Sequence, residues 1–207
     1  NTFTGNEAFN NNGSGYLIAG SFGDTFTNNS AGSNQVDGFE LVDTINITLT
    51  NNTASGNIEN GISLYNTSGA VLTNNTGDNN RQGLTLVNTD NVTVIENTFN
   101  NNSYYGINIS ESTRVTMQNN TMNDNLYNFK VDGTTNEAFN QIIDTSNKVD
   151  GKSVYYITDG SNITLNSSSN AGTVYCINCT NVNVSDVNLK NNGYGVNLRN
   201  TTGANLT

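Results

Sequence analysis

Five glycines, Gly15, Gly38, Gly61, Gly83 and Gly106, follow one another at intervals of 23, 23, 22 and 23 residues. After each comes an apolar–x–apolar step: Tyr16/Ile18, Phe39/Leu41, Ile62/Leu64, Leu84/Leu86 and Ile107/Ile109. Most blocks carry a second step, Ile47/Leu49, Ala70/Leu72, Val92/Val94 and Val115/Met117, whereas the first block has the imperfect Asp24/Phe26. The frame returns as Val174/Cys176 with Val182/Val184, then Val196/Leu198 with Ala204/Leu206. A fixed period decides architecture before any local propensity does. Composition alone points elsewhere: asparagine is more than a fifth of the 207 residues, Ser plus Thr supply as many again, and such polar bias is the usual mark of disorder. A disordered chain has no reason to keep a register, so the disordered-linker reading fails.

Alternation with period two means short strands with one buried face. Steps two residues apart, rich in β-branched residues and Asn, do not suit helices. Leucine-rich repeats need a Leu-x-x-Leu-x-Leu frame, and left-handed hexapeptide helices need multiples of six; both are absent. The pattern predicts an all-β chain, a right-handed parallel β-helix of about nine coils, the usual hand for parallel crossovers. At a stacking distance of roughly 4.8 Å it would be about 45 Å long. Residues 1–128 read as regular coils, 129–173 as enlarged coils with a protruding loop and a turn at Asp150-Gly151, and 174–207 as regular coils resumed, all in one solenoid.

The polar positions share the period. One column holds Asn29, Asn52, Asn75, Asn97 and Asn120, with Asn6 before them. A second holds Asn34, Asn57, Asn80, Asn102, Asn125 and Asn192, with Asn11 before them. A third holds Ser21, Thr44, Thr67, Thr89, Ser112, Cys179 and Thr201. Stacked coils turn each column into a ladder, in which inward side chains satisfy backbone groups that the turns leave unpaired.

The stretches "NKVDGKSVYYI" (147–157) and "AGTVYCINCTNVNVSDVNLKNNGYGVNLRNT" (171–201) resemble the NosD-like parallel β-helix repeat proteins of archaeal cell surfaces. The motif resemblance covers roughly the last quarter of the chain; the repeat resemblance covers nearly all of it. It implies a secreted β-helix and little about activity. The family name derives from a protein linked to copper maturation, which raises a copper role as a question.

Cys176 and Cys179 form a Cys-x-x-Cys, but no histidine is present to complete a metal site, and the only methionines are Met117 and Met122. By register Cys176 lies in an apolar column, so a structural role is expected, and a disulfide there would need a bend. No metal or other cofactor is expected. Polygalacturonase-type hydrolysis needs a Gly-His-Gly, and here only Asn-Thr-Asp at 88–90 is present. A lyase-type mechanism needs an acidic calcium cluster and a basic proton abstractor. Asp43 and Glu111 share a column about 14 Å apart, too far to share a metal, and Arg81, Arg114 and Arg199 fall at different coil positions. No catalytic residue is therefore expected. With 17 acidic and 7 basic residues, the net charge of −10 argues against nucleic acid and anionic membranes. No apolar run reaches the ~20 residues of a membrane span.

Sixteen Asn-x-Ser/Thr sequons occur, and none falls on either Asn column. Asn28, Asn51, Asn74 and Asn119 precede ladder residues and should point outward; with Asn46, Asn66, Asn91, Asn178 and Asn200 they are the candidates for N-glycosylation. The expectation from sequence is a non-catalytic extracellular module of a surface layer, sheath or filament. Its partners would be other copies of itself or the rest of a longer surface protein, with glycans as further partners. The rival is a carbohydrate-binding or polysaccharide-degrading β-helix, in which Tyr104/Tyr105 or Tyr155/Tyr156 would stack on sugars rather than pack at the coil edge. The chain opens without methionine and no end-cap is legible, so a segment of a larger, repetitively assembled protein is expected.

Overall fold

A computed structural model describes residues 1–207. It is a right-handed parallel β-helix of about nine coils, as the period predicts. Only two single-turn 3-10 helices, Glu137–Phe139 and Ser167–Ser169, interrupt the strands, and no helix is long and apolar enough to cross a membrane. Through residue 149 the strands form three parallel sheets. The longest has seven strands, Thr2–Thr4, Thr25–Thr27, Thr48–Thr50, Val71–Thr73, Thr93–Ile95, Thr116–Gln118 and Ile142–Ile143. Its central residues stack as Phe3, Phe26, Leu49, Leu72, Val94, Met117 and Ile143. The second sheet has six strands, Tyr16–Ala19, Phe39–Val42, Asn60–Tyr65, Gln82–Val87, Tyr105–Ser110 and Tyr127–Asp132. It stacks Ile18, Leu41, Leu64, Leu86, Ile109 and Val131 in the same way. The third begins with Glu7–Phe9, Ser30–Gly32 and Thr53–Ser55. Their inward side chains merge into one core.

The glycine column has a steric cause. A Cβ on Gly61 would lie 2.7 Å from the carbonyl oxygen of Gly83 and 2.8 Å from Nδ2 of Asn80; Gly38, Gly83 and Gly106 meet the same obstacles. A side chain there would push apart coils that the ladders draw together.

The Asn ladders are continuous. Asn75 is representative: its backbone N–H and Nδ2 donate to Oδ1 of Asn97 at 2.8 and 2.9 Å, and Nδ2 also donates to the Leu49 carbonyl at 2.9 Å. Its own Oδ1 accepts from N and Nδ2 of Asn52 at 2.9 and 3.0 Å. Both amide hydrogens and both oxygen lone pairs are thus used in a buried site, which is what allows a polar side chain inside the core. The first ladder runs beyond Asn120 to Asn147, across an enlarged coil. The second ends when Asn128, in the place of the next glycine, turns its Oδ1 back to accept from Asn125. Asn192 does not join it; its Nδ2 donates to the Gly172 carbonyl instead.

Within 129–173, read from the sequence as enlarged coils with a protruding loop, the chain reverses direction beyond residue 149. Lys148–Val149 still runs parallel to Thr121–Met122. Asp150 and Gly151, both with positive φ (48° and 72°), then form a two-residue hairpin of the type such a pair favours. Lys152–Thr158 leaves antiparallel to Lys148–Val149 and begins a smaller stack with Ala171–Ile177 and Val196–Arg199. Ser161–Leu165, Thr180–Val184 and Asn205–Leu206 form its second sheet. Every residue of Ala171–Ile177 is buried. On one face Val154, Tyr156, Tyr175 and Ile177 complete the main core. On the other, Val174 and Cys176 join Leu165, Val182 and Val184 in a separate small core. The smaller stack therefore covers the end of the larger one. The Tyr175 hydroxyl accepts from the Val131 N–H at 3.1 Å, and the Tyr156 hydroxyl donates to the Phe139 carbonyl at 2.8 Å. Arg199 lies 4.2 Å from the centre of the Phe139 ring.

Candidate functional site

The outer surface of the six-stranded sheet carries a third set of cross-coil contacts. Immediately before the glycine column stand Ser14, Asp37, Asn60, Gln82, Tyr105 and Tyr127. Ser14, Asp37, Asn60 and Tyr105 each face the outward, mid-strand residue of the following coil. Ser14 donates to Glu40 at 2.5 Å, Ser63 donates to Asp37, and Thr85 donates to Asn60 at 3.2 Å. Along the column, N and Nδ2 of Asn60 donate to Oδ1 of Asp37 at 2.8 Å, and Nε2 of Gln82 donates to Oδ1 of Asn60 at 3.0 Å. Ser63, Thr85, Asp37 and Asn60 are all buried although they lie on the outside of the solenoid. These side chains are already held in fixed positions.

At Asn108 the zipper breaks: its Oδ1 is buried and has no donor. From there the column turns aromatic. Tyr104, Tyr105 and Tyr127 form one cluster, with ring centres 4.4 to 5.6 Å apart. Arg81 and Lys130 each approach a ring, Tyr104 and Tyr105 respectively, at 5.7 Å. Tyr104 is exposed, Tyr127 half-buried and Tyr105 buried, so the cluster combines coil-edge packing with an open aromatic surface. Tyr155 and Tyr156 do not form such a surface: one hydroxyl is tied to the Ser169 carbonyl and the other to Phe139.

Electrostatics divide the face. Burial raises the pKa of Asp37, against the opposing pull of the Ser63 and Asn60 hydrogen bonds. Burial first, then the negative charges of Asp37, Glu40 and Glu59, raises that of Tyr65. Burial, followed by the influence of Tyr104, raises the Tyr105 phenol. The acidic end of the face thus lies in the early coils, and the aromatic end in the later ones. The two largest clefts, about 310 and 320 Å³, lie elsewhere. One is at the junction of the stacks, beside Asn136, Phe139 and Asp159; the other is at the Asp43–Asn66 turn. An extended ligand lies along a surface and needs no such cavity.

The model of the right-handed beta helix region matches residues 1–168. The chain belongs to that family. Two solved structures similar to this β-helix are A-modules of Azotobacter vinelandii mannuronan C-5 epimerases. AlgE6 is 19% identical with a TM-score of 0.61, over the whole of this chain and 57% of that one. AlgE4 is 17% identical with a TM-score of 0.50, over 89% of this chain and 54% of that one. The β-helix thus spans little more than half the length of either, and at these identities the likeness is one of fold. Comparison with curated proteins gives no match.

Other expected site residues fall at the turns of the β-helix. All nine glycosylation candidates, Asn28, Asn46, Asn51, Asn66, Asn74, Asn91, Asn119, Asn178 and Asn200, are exposed and have positive φ, between 48° and 57°. Asparagine tolerates that left-handed conformation better than any other residue except glycine. Their being asparagine therefore has a conformational cause, which their spacing alone did not reveal. Asp43, Asn66, Asn88 and Glu111 share such a column, and Asn66 donates to Asp43 at 2.6 Å. The hydroxyl column is less continuous than the amide ones. Thr44 and Thr67 touch across coils at 3.0 Å, and Ser112 accepts from the Thr89 N–H. Ser112 and Thr201 also donate to nearby strand carbonyls. Cys179, expected as a ladder member, is bonded to Cys176 across a Cα–Cα distance of 5.8 Å, and both are buried. The bend at the end of Ala171–Ile177 brings them together.

Proposed function

We propose that this β-helix binds polysaccharide along the outer face of its six-stranded sheet, outside the cell. The observation that carries the reading is the Tyr104–Tyr105–Tyr127 cluster, with exposed Tyr104 beside Arg81 and the partly exposed Gln82 in the same column. Aromatic rings give broad apolar contact to a sugar face while fixed polar groups set its orientation. The Cys176–Cys179 disulfide supports an oxidising, extracellular location, and the NosD-like resemblance agrees with it. Recognition without bond cleavage fits the face better, because Asp37, its acid of raised pKa, is sealed beneath Ser63 and Asn60. The test is titration against a polysaccharide panel. Saturable binding is expected, weakened at least about tenfold by Tyr104→Ala, a loss of roughly 1.4 kcal/mol, and unchanged by Arg114→Ala at another corner of the coil. Absence of saturable binding to every polysaccharide would overturn the proposal; release of reducing or unsaturated ends would make the protein an enzyme.

A structural role in a surface layer, sheath or filament is the second reading, favoured by the exposed apolar neighbours Phe22 and Ile45 on one flank. Contacts there with other copies or with the rest of a longer surface protein would build the repetitive assembly, and Phe22→Ser should then reduce association measured by light scattering. N-glycosylation at the nine exposed turn asparagines belongs to the same extracellular proposal. Intact-mass analysis of the secreted protein tests it.

A further inference from the structure

We infer that the ligand of this face is an uncharged, hydroxyl-rich glycan and that polyuronates are rejected; this rests on the polysaccharide-binding reading above. Two independent observations carry it. The first is the charge along the face. Glu40 and Glu59 lie toward the acidic end and Asp132 at the other, and the two cations near the tyrosines are already engaged. Arg81 pairs with Glu59 at 2.9 Å and Lys130 pairs with Asp132. Neither Arg81 nor Lys130 is left free to receive a carboxylate, and the chain as a whole carries −10. Coils stack at roughly 4.8 Å, well inside the ~8 Å screening length of physiological salt. A polymer with one carboxylate per sugar cannot lie along this surface without meeting those acids.

The second observation is what the face lacks. Oδ1 of Asn108 and Oδ1 of Asp132 are buried and have no hydrogen-bond donor. Asn108 is in register with Lys130, and Asp132 lies two residues further along the same strand, on the same face. Both orphan groups are acceptors beside the tyrosines, so the missing partner must donate. Sugar hydroxyls donate, and a polyuronate carries them beside its carboxylates. The orphan acceptors therefore favour a hydroxyl-bearing ligand, while the rejection of polyuronates rests on the charge of the face.

The experiment titrates the full chain with neutral glucan, mannan and xylan oligosaccharides and with mannuronan, at low salt and at about 0.15 M. The expected result is binding to a neutral glycan with little salt dependence and none to mannuronan. Asn108→Ala should weaken the neutral complex about tenfold while circular dichroism and melting stay close to those of the parent. Mannuronan binding that depends on Tyr104 and weakens with salt would overturn this inference and leave the polysaccharide-binding reading standing. Neutral binding indifferent to Asn108→Ala in a folded variant would overturn it as well. No binding to any polymer would overturn both.

Discussion

In residues 1–149 each coil nearly copies its neighbour, whereas in residues 152–207 the chain covers the end of that stack with coils of changing length. Turn asparagines and aspartates of the smaller stack pair at separations of 19 and then 22 residues, as in Asn178 with Asp159 and Asn200 with Asn178. The larger stack is held by one broad core and two amide ladders; the smaller has a core of seven buried residues and a disulfide. Regular repetition lets identical polar groups satisfy one another, so polar residues can be buried cheaply. Where repetition ends, both faces of a strand must be apolar, as in Ala171–Ile177, because each meets a different core.

The largest expected effect is in the ladder. Asn75→Asp replaces a double donor with a buried carboxylate facing the Leu49 carbonyl and Oδ1 of Asn97. A cost of about 3–5 kcal/mol is expected at neutral pH, as for other uncompensated buried charges. The new carboxyl would have a raised pKa in the folded state, so the cost should shrink as pH falls through that value. Denaturant titrations at two pH values measure both. A penalty under 1 kcal/mol would mean that the ladders do not bind the coils together.

Next comes the joint between the stacks. Tyr175→Phe removes the acceptor of a buried backbone N–H at Val131, which should cost about 1–3 kcal/mol. Hydrogen exchange at Val131 should quicken, while amides in the coils near Asn52 keep their protection. Uniform acceleration along the chain would show that the two stacks unfold as one unit.

Smaller still is the disulfide. Cys176→Ser with Cys179→Ser opens a loop of only three-residue separation, for which chain entropy gives about 2 kcal/mol at most. Limited proteolysis should find the smaller stack loosened and the larger one intact. Loss of the larger stack as well would mean that the cover is indispensable to it.

The sequence reveals the larger stack far better than the smaller, for physical reasons. Glycine, ladder asparagine and inward apolar residues each have one cause repeated in every coil, so they stand out as columns. The face of Ala171–Ile177 that turns toward the main core cannot be read, because Tyr175 and Cys176 are both buried and alternation says nothing about which core each meets. The register change at Asp150-Gly151 was legible only as a turn. The outer zipper stayed hidden because Ser14, Asp37, Asn60, Gln82 and Tyr105 share a position and no common chemistry; their place just before the glycine column was the available signal. Tyr104 and Tyr105 were visible as a pair, but Tyr127, Arg81 and Lys130 join them only through stacking.

That hidden column supplies the smallest expected effect, and one whose sign separates it from the inner ladders. Asp37 stands where the column continues with the neutral amide Asn60, and its carboxylate accepts from N and Nδ2 of Asn60 and from Ser63. Burial nevertheless outweighs those donors and raises its pKa above the ordinary 3.8. Between that ordinary value and the raised one, the folded chain holds more of the proton than the unfolded chain does. Stability contributed by this group is therefore full below about pH 4 and is lost as pH rises through the folded value. In Asp37→Asn the amide oxygen can still accept from Asn60, and the new Nδ2 can donate to the Ser63 hydroxyl, which accepts as readily as it donates. The variant should match the parent near pH 4 and exceed it slightly at pH 7, by under about 1 kcal/mol, the scale of a single hydrogen bond. Asn75→Asp runs the opposite substitution in the inner ladder and should lose stability over the same range. Paired melting curves of the two variants at pH 4 and 7 decide the matter. Destabilisation by Asp37→Asn at pH 7 would show that the charged form of Asp37 is favoured by its surroundings, and that the donors of Asn60 and Ser63 outweigh burial in the outer column.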